Sequence, residues 1–164
     1  MPERDEVDRI VEAWSRERPD LDFAPLHVFS RVDRLARHLD RARRDAFAAG
    51  DLEPWEFDVL SALRRAGEPY RLSPKALLQQ TLVSSGTMTN RIDRLAARGL
   101  VERGTDPDDG RGVLVTMTVA GRERVDRAIR VLLEAETALL GALSAPERRR
   151  LAELLRSFAL GFDA

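Results

Sequence analysis

Asn90 and Arg94 lie four residues apart in the stretch SSGTMTNRIDRLAAR, which runs from Ser84 to Arg98. An asparagine amide can make two hydrogen bonds to adenine and a guanidinium two to guanine, so this pair has the chemistry of base reading in a major groove. Setting Ile92 inward and stepping about 100° per residue divides the stretch into two helical faces. Met88, Leu95, Ala96 and Gly99 gather near Ile92, whereas Gly86, Thr87, Asn90, Arg94 and Ala97 point the other way. Thr87 suits a thymine methyl or a phosphate. Ser84, Ser85 and Thr89 add hydroxyls to the same candidate DNA surface, and Ser84 or Ser85 caps the helix. A solvated helix face is the plainer reading of such a pattern. The elements on either side favour DNA.

Upstream, Ser73-Pro74 opens a short helix, about Pro74 to Thr81, with the serine as cap and the proline in the first turn. Two short helices across a tight turn form a helix-turn-helix. Downstream, Leu100 to Gly104 and Val113 to Thr118 read as a strand pair around the turn-rich Asp106-Pro107-Asp108-Asp109-Gly110-Arg111-Gly112. That hairpin is a wing, with Arg111 as its candidate for a minor-groove or phosphate contact. Asp106 and Asp108 would hold the wing by pairing with Arg111 or with neighbouring amides. Between Tyr70 and Arg103 stand Arg71, Lys75, Arg91, Arg94, Arg98 and Arg103 against only Asp93 and Glu102, so the segment is locally basic. The chain as a whole is not: its net charge is -1, so binding must rest on this asymmetry and not on a general cationic coat.

The remaining elements are helical. Asp5 to Arg18 carries Val7, Ile10, Val11 and Trp14 on one face, and a second helix runs from near Pro25 to about Phe47 through Leu26, Phe29, Val32, Leu35 and Leu39. A third opens at Pro54 and carries Phe57, Leu60 and Leu63 before Gly67. Gly121 to about Leu140 is long, with a stripe through Val125, Ile129, Leu132, Leu133, Leu139 and Leu140, and Ser144-Ala145-Pro146-Glu147 starts the last helix by a capping-box pattern. The 164 residues therefore divide into N-terminal helices over 1–48, a winged helix-turn-helix over 49–120 and C-terminal helices over 121–164. Both ends are amphipathic helices with little chain left to bury them, which favours a homodimer over a small monomeric core. A two-fold dimer would set its reading helices roughly 34–36 Å apart on one face of DNA.

With no cysteine, thiolate zinc sites, disulfides and thiol switches are excluded, and two histidines are too few to suggest a histidine metal site. No signal peptide or membrane-length apolar run is present, so the expectation is a cytoplasmic protein without a membrane partner. No nucleophile set, phosphate-binding glycine loop or metal spacing points to catalysis, and no cofactor is expected. His27 and His38 lie on the second helix, where a satisfied surface or core histidine is the ordinary outcome and a pH-sensing role for His38 at a dimer seam the alternative.

The segments FDVLSALRRAGEP, SPKALLQQTLVSSGTMTNRIDRLAARGLVER and DPDDGRGVLVTMTVAG resemble the MarR family of bacterial transcriptional regulators over about residues 25 to 140. The resemblance implies a mainly α fold with a small β-wing, a MarR-type winged helix whose N- and C-terminal helices form a dimerisation region. It also implies a palindromic double-stranded operator, repression of a nearby gene, and release by a small ligand. Where many relatives carry two wing arginines, this chain has Gly110-Arg111. The segment around Pro19-Asp20-Leu21-Asp22 and Ala24-Pro25-Leu26-His27-Val28, with the preceding Trp14, looks like the urate-responsive branch. That likeness implies a ligand set of Trp14, Asp58, Arg91 and Arg103. Two guanidiniums could bind a planar or carboxylate anion, Trp14 could cover its flat face, and Asp58 could accept ring N–H groups. Each has a structural reading too: Trp14 as a helix anchor, and Asp58 with Arg91 or Arg103 as an ion pair. Urate, another purine or a polycarboxylate such as an aconitate would fit. The alternatives are a DNA-binding regulator without a small-molecule ligand, and a helical scaffold.

Overall fold

The computed structural model describes residues 4–81, 83–105 and 112–162. They form two compact units, Met1–Ala42 and Arg43–Ala164. The first holds α1 (Glu6–Glu17) and most of α2 (Ala24–Ala49). Asp5 caps α1, its carboxylate accepting the Asp8 N–H while the Asp8 carboxylate accepts the Asp5 N–H. Arg31 of α2 donates to Asp5 and to Asp8, and Arg34 pairs with Glu6, so α1 is fastened to α2 mainly by charge. The Arg31 guanidinium holds both aspartates below their usual carboxylate range. Val7 and Val11 are the buried apolar residues of α1.

In the second unit the order is α3 (Pro54–Arg65), β1 (Arg71–Leu72), α4 (Pro74–Thr81), α5 (Ser85–Ala97), β2 (Val101–Thr105), β3 (Val113–Met117), α6 (Val119–Leu139) and α7 (Ala145–Ala159). β3 lies between β1 and β2, antiparallel to both, with Arg103 opposite Val115 and Arg71 opposite Thr116. The sequence reading expects a strand pair; the sheet has a third strand, β1, which at two residues is too short to show alternation in the sequence. β2 begins one residue later than expected, and α6 two residues earlier, because Thr118 caps it by accepting the Gly121 N–H.

Leu60, Leu63, Leu77, Met88, Ile92, Leu95, Leu100 and Val115 fill the centre, with Phe47 stacked on Phe57 at a ring separation of 4.2 Å. α6 lies very close to this core. A Cβ on Gly121 would stand 2.2 Å from the Leu100 carbonyl oxygen, and one on Gly50 would stand 2.8 Å from that of Arg124. The α6 stripe divides accordingly: Val125, Ala128 and Leu132 are buried, while Leu133 and Leu139 stay exposed. α7 has no buried residue, and Leu154, Leu155 and Phe162 lie open on it or just beyond its end.

Candidate nucleic-acid interface

α4 and α5 form the helix-turn-helix, and the inward side of α5 is the one its periodicity predicts. Met88, Ile92 and Leu95 are buried, whereas Ser84, Ser85, Gly86, Thr87, Thr89, Asn90, Arg94 and Ala97 are exposed; Gly99 is also exposed, because it terminates the helix in a left-handed conformation. Ser84 is the cap, accepting the Thr87 N–H at 3.3 Å, and its hydroxyl lies 2.9 Å from that of Thr87. Thr89 donates back to the Ser85 carbonyl at 3.1 Å. Asn90 and Arg94 help line a shallow surface hollow of about 460 Å³ with Trp55, Gly86, Thr87 and Arg91. Arg111, with Asp106 and Asp108, lies outside the described residues.

Trp55 comes from the first turn of α3, directly after Pro54. The Arg94 guanidinium sits 4.6 Å from the centre of its ring and that of Arg91 sits 5.7 Å away. The indole N–H donates to Glu53, whose carboxylate is also 3.7 Å from Arg94. Neither Trp55 nor Glu53 emerges from a helical wheel of α5, because a wheel shows which way a side chain points and not what another helix brings to it. The available signal is a tryptophan placed at a helix start beside the basic segment.

The other end of α5 is held differently. Glu56, one residue beyond Trp55, is 1% exposed and pairs with Arg98 at the C-cap of α5. Its carboxylate also accepts the Glu53 N–H at 2.9 Å, completing a capping box. Arg98 reaches on to the carbonyl and carboxylate of Asp51, both at 2.9 Å, and Arg124 of α6 joins the same carboxylate. A buried carboxylate is tolerable because its charge is answered and its lone pairs are used. This network ties α3, α5 and α6 into one piece.

Of the four residues expected to bind a ligand, the structure places Asp58 and Arg91 near each other. Asp58 and Arg91 face each other across α3 and α5: burial pushes the Asp58 carboxyl above its usual range, against the opposing charges of Arg91, Arg43 and Arg65. None of these three arginines hydrogen-bonds it. Arg91 Nη1 is buried without a hydrogen-bond partner among the described residues. Arg103 is elsewhere. It pairs with Asp93 at 2.8 Å and donates to the Thr89 carbonyl at 3.4 Å, on the flank of α5 about 160° from Arg91. Trp14 belongs to the other compact unit, where it is half-exposed and stacks on Phe23 at 5.9 Å.

A capped helix with a polar outer face, a short partner helix across a turn and a β-hairpin behind them define a winged-helix DNA-binding protein. The MarR family model matches residues 50–112. The chain is 35% identical over 150 residues to the HTH-type transcriptional regulator PecS of Dickeya dadantii, covering 92% of this chain and 90% of that one, and it belongs to the MarR family. A cysteine-to-serine mutant of Escherichia coli MarR, complexed with operator DNA, has the same fold, with a TM-score of 0.66 and 27% identity, over 84% of this chain and 99% of that one. Bordetella bronchiseptica BpsR, whose DNA binding is regulated by 6-hydroxynicotinic acid, matches with a TM-score of 0.63 and 30% identity, over 80% and 92%. The protein is a DNA-binding transcriptional regulator and not an enzyme. Among the described residues, no helix is long and apolar enough to cross a membrane.

Proposed function

We propose that the chain acts as a homodimeric repressor on a palindromic operator and is released by a small planar anion. The observation that carries the ligand reading is Arg91 Nη1, buried without a hydrogen-bond partner among the described residues and close enough to Asp58 to act on its charge. A guanidinium left with an unsatisfied N–H costs free energy that an incoming oxyanion or carbonyl recovers. Asp58 supplies the complementary acceptor for a ring N–H. Urate, a related purine or a polycarboxylate meets that description. Trp14 and Arg103 complete the set that the family resemblance implies, and recruitment of Arg103 requires its pair with Asp93 to open.

Residues 84, 85, 87, 89, 90 and 94 are the base- and backbone-facing set in this reading, with Arg111, outside the described residues, as the further DNA contact that the sequence suggests. Residues 1–48 and 121–164 serve dimerisation. The exposed Leu133, Leu139, Leu154, Leu155 and Phe162 support that assignment, because so many large apolar side chains in water are what a subunit interface covers. Arg91 sits on the reading helix itself, so an anion that draws it away from its present position alters the pose of α5. Ligand and operator then weaken each other by the same factor.

The test is a gel-shift titration on DNA flanking the protein's own coding sequence, repeated with urate, xanthine, trans-aconitate and 6-hydroxynicotinate. A sequence-specific shift released by one of them supports the reading and names the ligand class. A specific shift indifferent to all four demotes Asp58 and Arg91 to structural partners.

A further inference from the structure

We propose that Trp55, seated by Glu53, is a positioning residue that sets how Arg94 meets a base, and so helps to determine operator discrimination. The inference rests on the DNA-reading role given to Arg94 above. An arginine side chain on an exposed helix face must give up rotamer freedom before it can hold two hydrogen bonds to one guanine. Among the described residues, the groups that restrain the Arg94 guanidinium are the Trp55 ring at 4.6 Å and the Glu53 carboxylate at 3.7 Å. The ring is itself fixed. Pro54 and the Glu53–Glu56 capping box set the start of α3, Trp55 packs against the hydrophobic core, and its N–H donates to Glu53.

That donation matters electronically as well as sterically. A carboxylate on the indole N–H enriches the ring, which strengthens its hold on a cation over its face. A guanidinium held over a ring face by cation–π attraction keeps N–H groups available for a base edge, whereas a bidentate salt bridge would occupy two of them. Glu53, at 3.7 Å, steadies Arg94 without taking both of its donors. Arg91 lies over the same ring at 5.7 Å, so the arginine beside Asp58 and the arginine facing the groove share one support.

The experiment measures the ratio of affinities for a footprinted operator duplex and a scrambled duplex of equal length, with melting curves to establish that each variant is folded. Arg94→Ala lowers the ratio about 5- to 150-fold if Arg94 reads a base. Trp55→Met is expected to lower it about two- to fivefold, and Trp55→Phe, which keeps a π face, to recover most of that loss. Glu53→Ala, an exposed change that spares the core, lowers the ratio in the same direction. In an Arg94→Ala background, Trp55→Met should change nothing further. The proposal is overturned if Trp55→Met and Glu53→Ala leave the ratio unchanged while Arg94→Ala lowers it. It is also overturned if Trp55→Met weakens both duplexes equally whether or not Arg94 is present, the mark of a purely structural tryptophan. If Arg94→Ala itself leaves the ratio unchanged, the base-reading role fails and takes the positioning role with it.

Discussion

The two ends of the recognition helix α5 are met by carboxylates only two residues apart on α3, and the two carboxylates behave in opposite ways. At the C-terminal end Glu56 is fully buried yet satisfied, bonded to Arg98 and to a backbone N–H. Midway along the helix Asp58 is exposed and opposes Arg91 without a hydrogen bond from it, and the buried atom left without a partner among the described residues is Arg91 Nη1. One end is clamped and the other presented. The difference shows how a short helix can be fixed at one end while an arginine further along it keeps an N–H group uncommitted. The two carboxylates differ in burial as well as in partners: Glu56 is enclosed and bonded, whereas Asp58 stands at the surface beside an arginine that keeps one N–H group uncommitted.

The largest effect should come from breaking the clamp. Arg98→Ala leaves Glu56 buried without its counter-charge, and we expect a loss of about 3 kcal/mol in urea unfolding. Replacing both residues by leucine should recover most of that loss, since the cost lies in the uncompensated charge. Recovery of none of it would make the network more than a charge pair. At the presented end the effects move from folding to binding. Asn90→Ala should weaken operator binding about 5- to 150-fold in a fluorescence-anisotropy titration, with unfolding changed by less than about 0.5 kcal/mol. A comparable loss of stability would erase the distinction between the ends.

Asp58→Asn gives a smaller effect whose sign is informative. The folded-state pKa of Asp58 is raised by burial, so its favourable contribution is full below the unfolded value and is lost as pH rises through the folded value. The asparagine variant should therefore melt slightly higher than the parent at neutral pH, and the gap should close towards acid, below the ordinary carboxylate range, while calorimetric affinity falls for whichever of the tested anions releases the operator. Arg31→Ala touches neither end and should matter least. Asp5 and Asp8 have depressed folded values, so whatever stability Arg31 confers is present above the ordinary carboxylate range and lost as pH falls through the depressed one. Melting curves of this variant should differ from the parent at neutral pH and converge with it in acid.

Much of the fold is legible in the residue pattern because caps and apolar spacing are local. Ser84 and Ser73 mark helix starts, and the period through Met88, Ile92 and Leu95 orients α5, whereas the Thr118 cap goes unread and α6 is expected two residues late. Local signals also place Asn90 and Arg94 outward. What they cannot convey is the tertiary partner. Trp55, Glu56 and Asp51 reach α5 from α3 and the turn before it, and nothing in the spacing of α5 announces them. The same limit applies to Arg103: its sequence position brackets the recognition helix, but strand β2 delivers it to Asp93, on the flank opposite Arg91. β1 escapes for a simpler reason, since two residues carry no period.

The chain contains just two tryptophans, and they fall one in each compact unit. Trp55 has two guanidiniums over its ring and a carboxylate at its N–H, so its excited-state dipole sits in a strong, ordered local field. Any event that moves Arg91 or Arg94 should shift the wavelength or the yield of its emission. Trp14, half-exposed and stacked on Phe23, reports on a different neighbourhood. The protein therefore carries an intrinsic optical gauge at its DNA-reading surface and a second in its N-terminal helices, with no label needed to tell the two apart beyond replacing one of them.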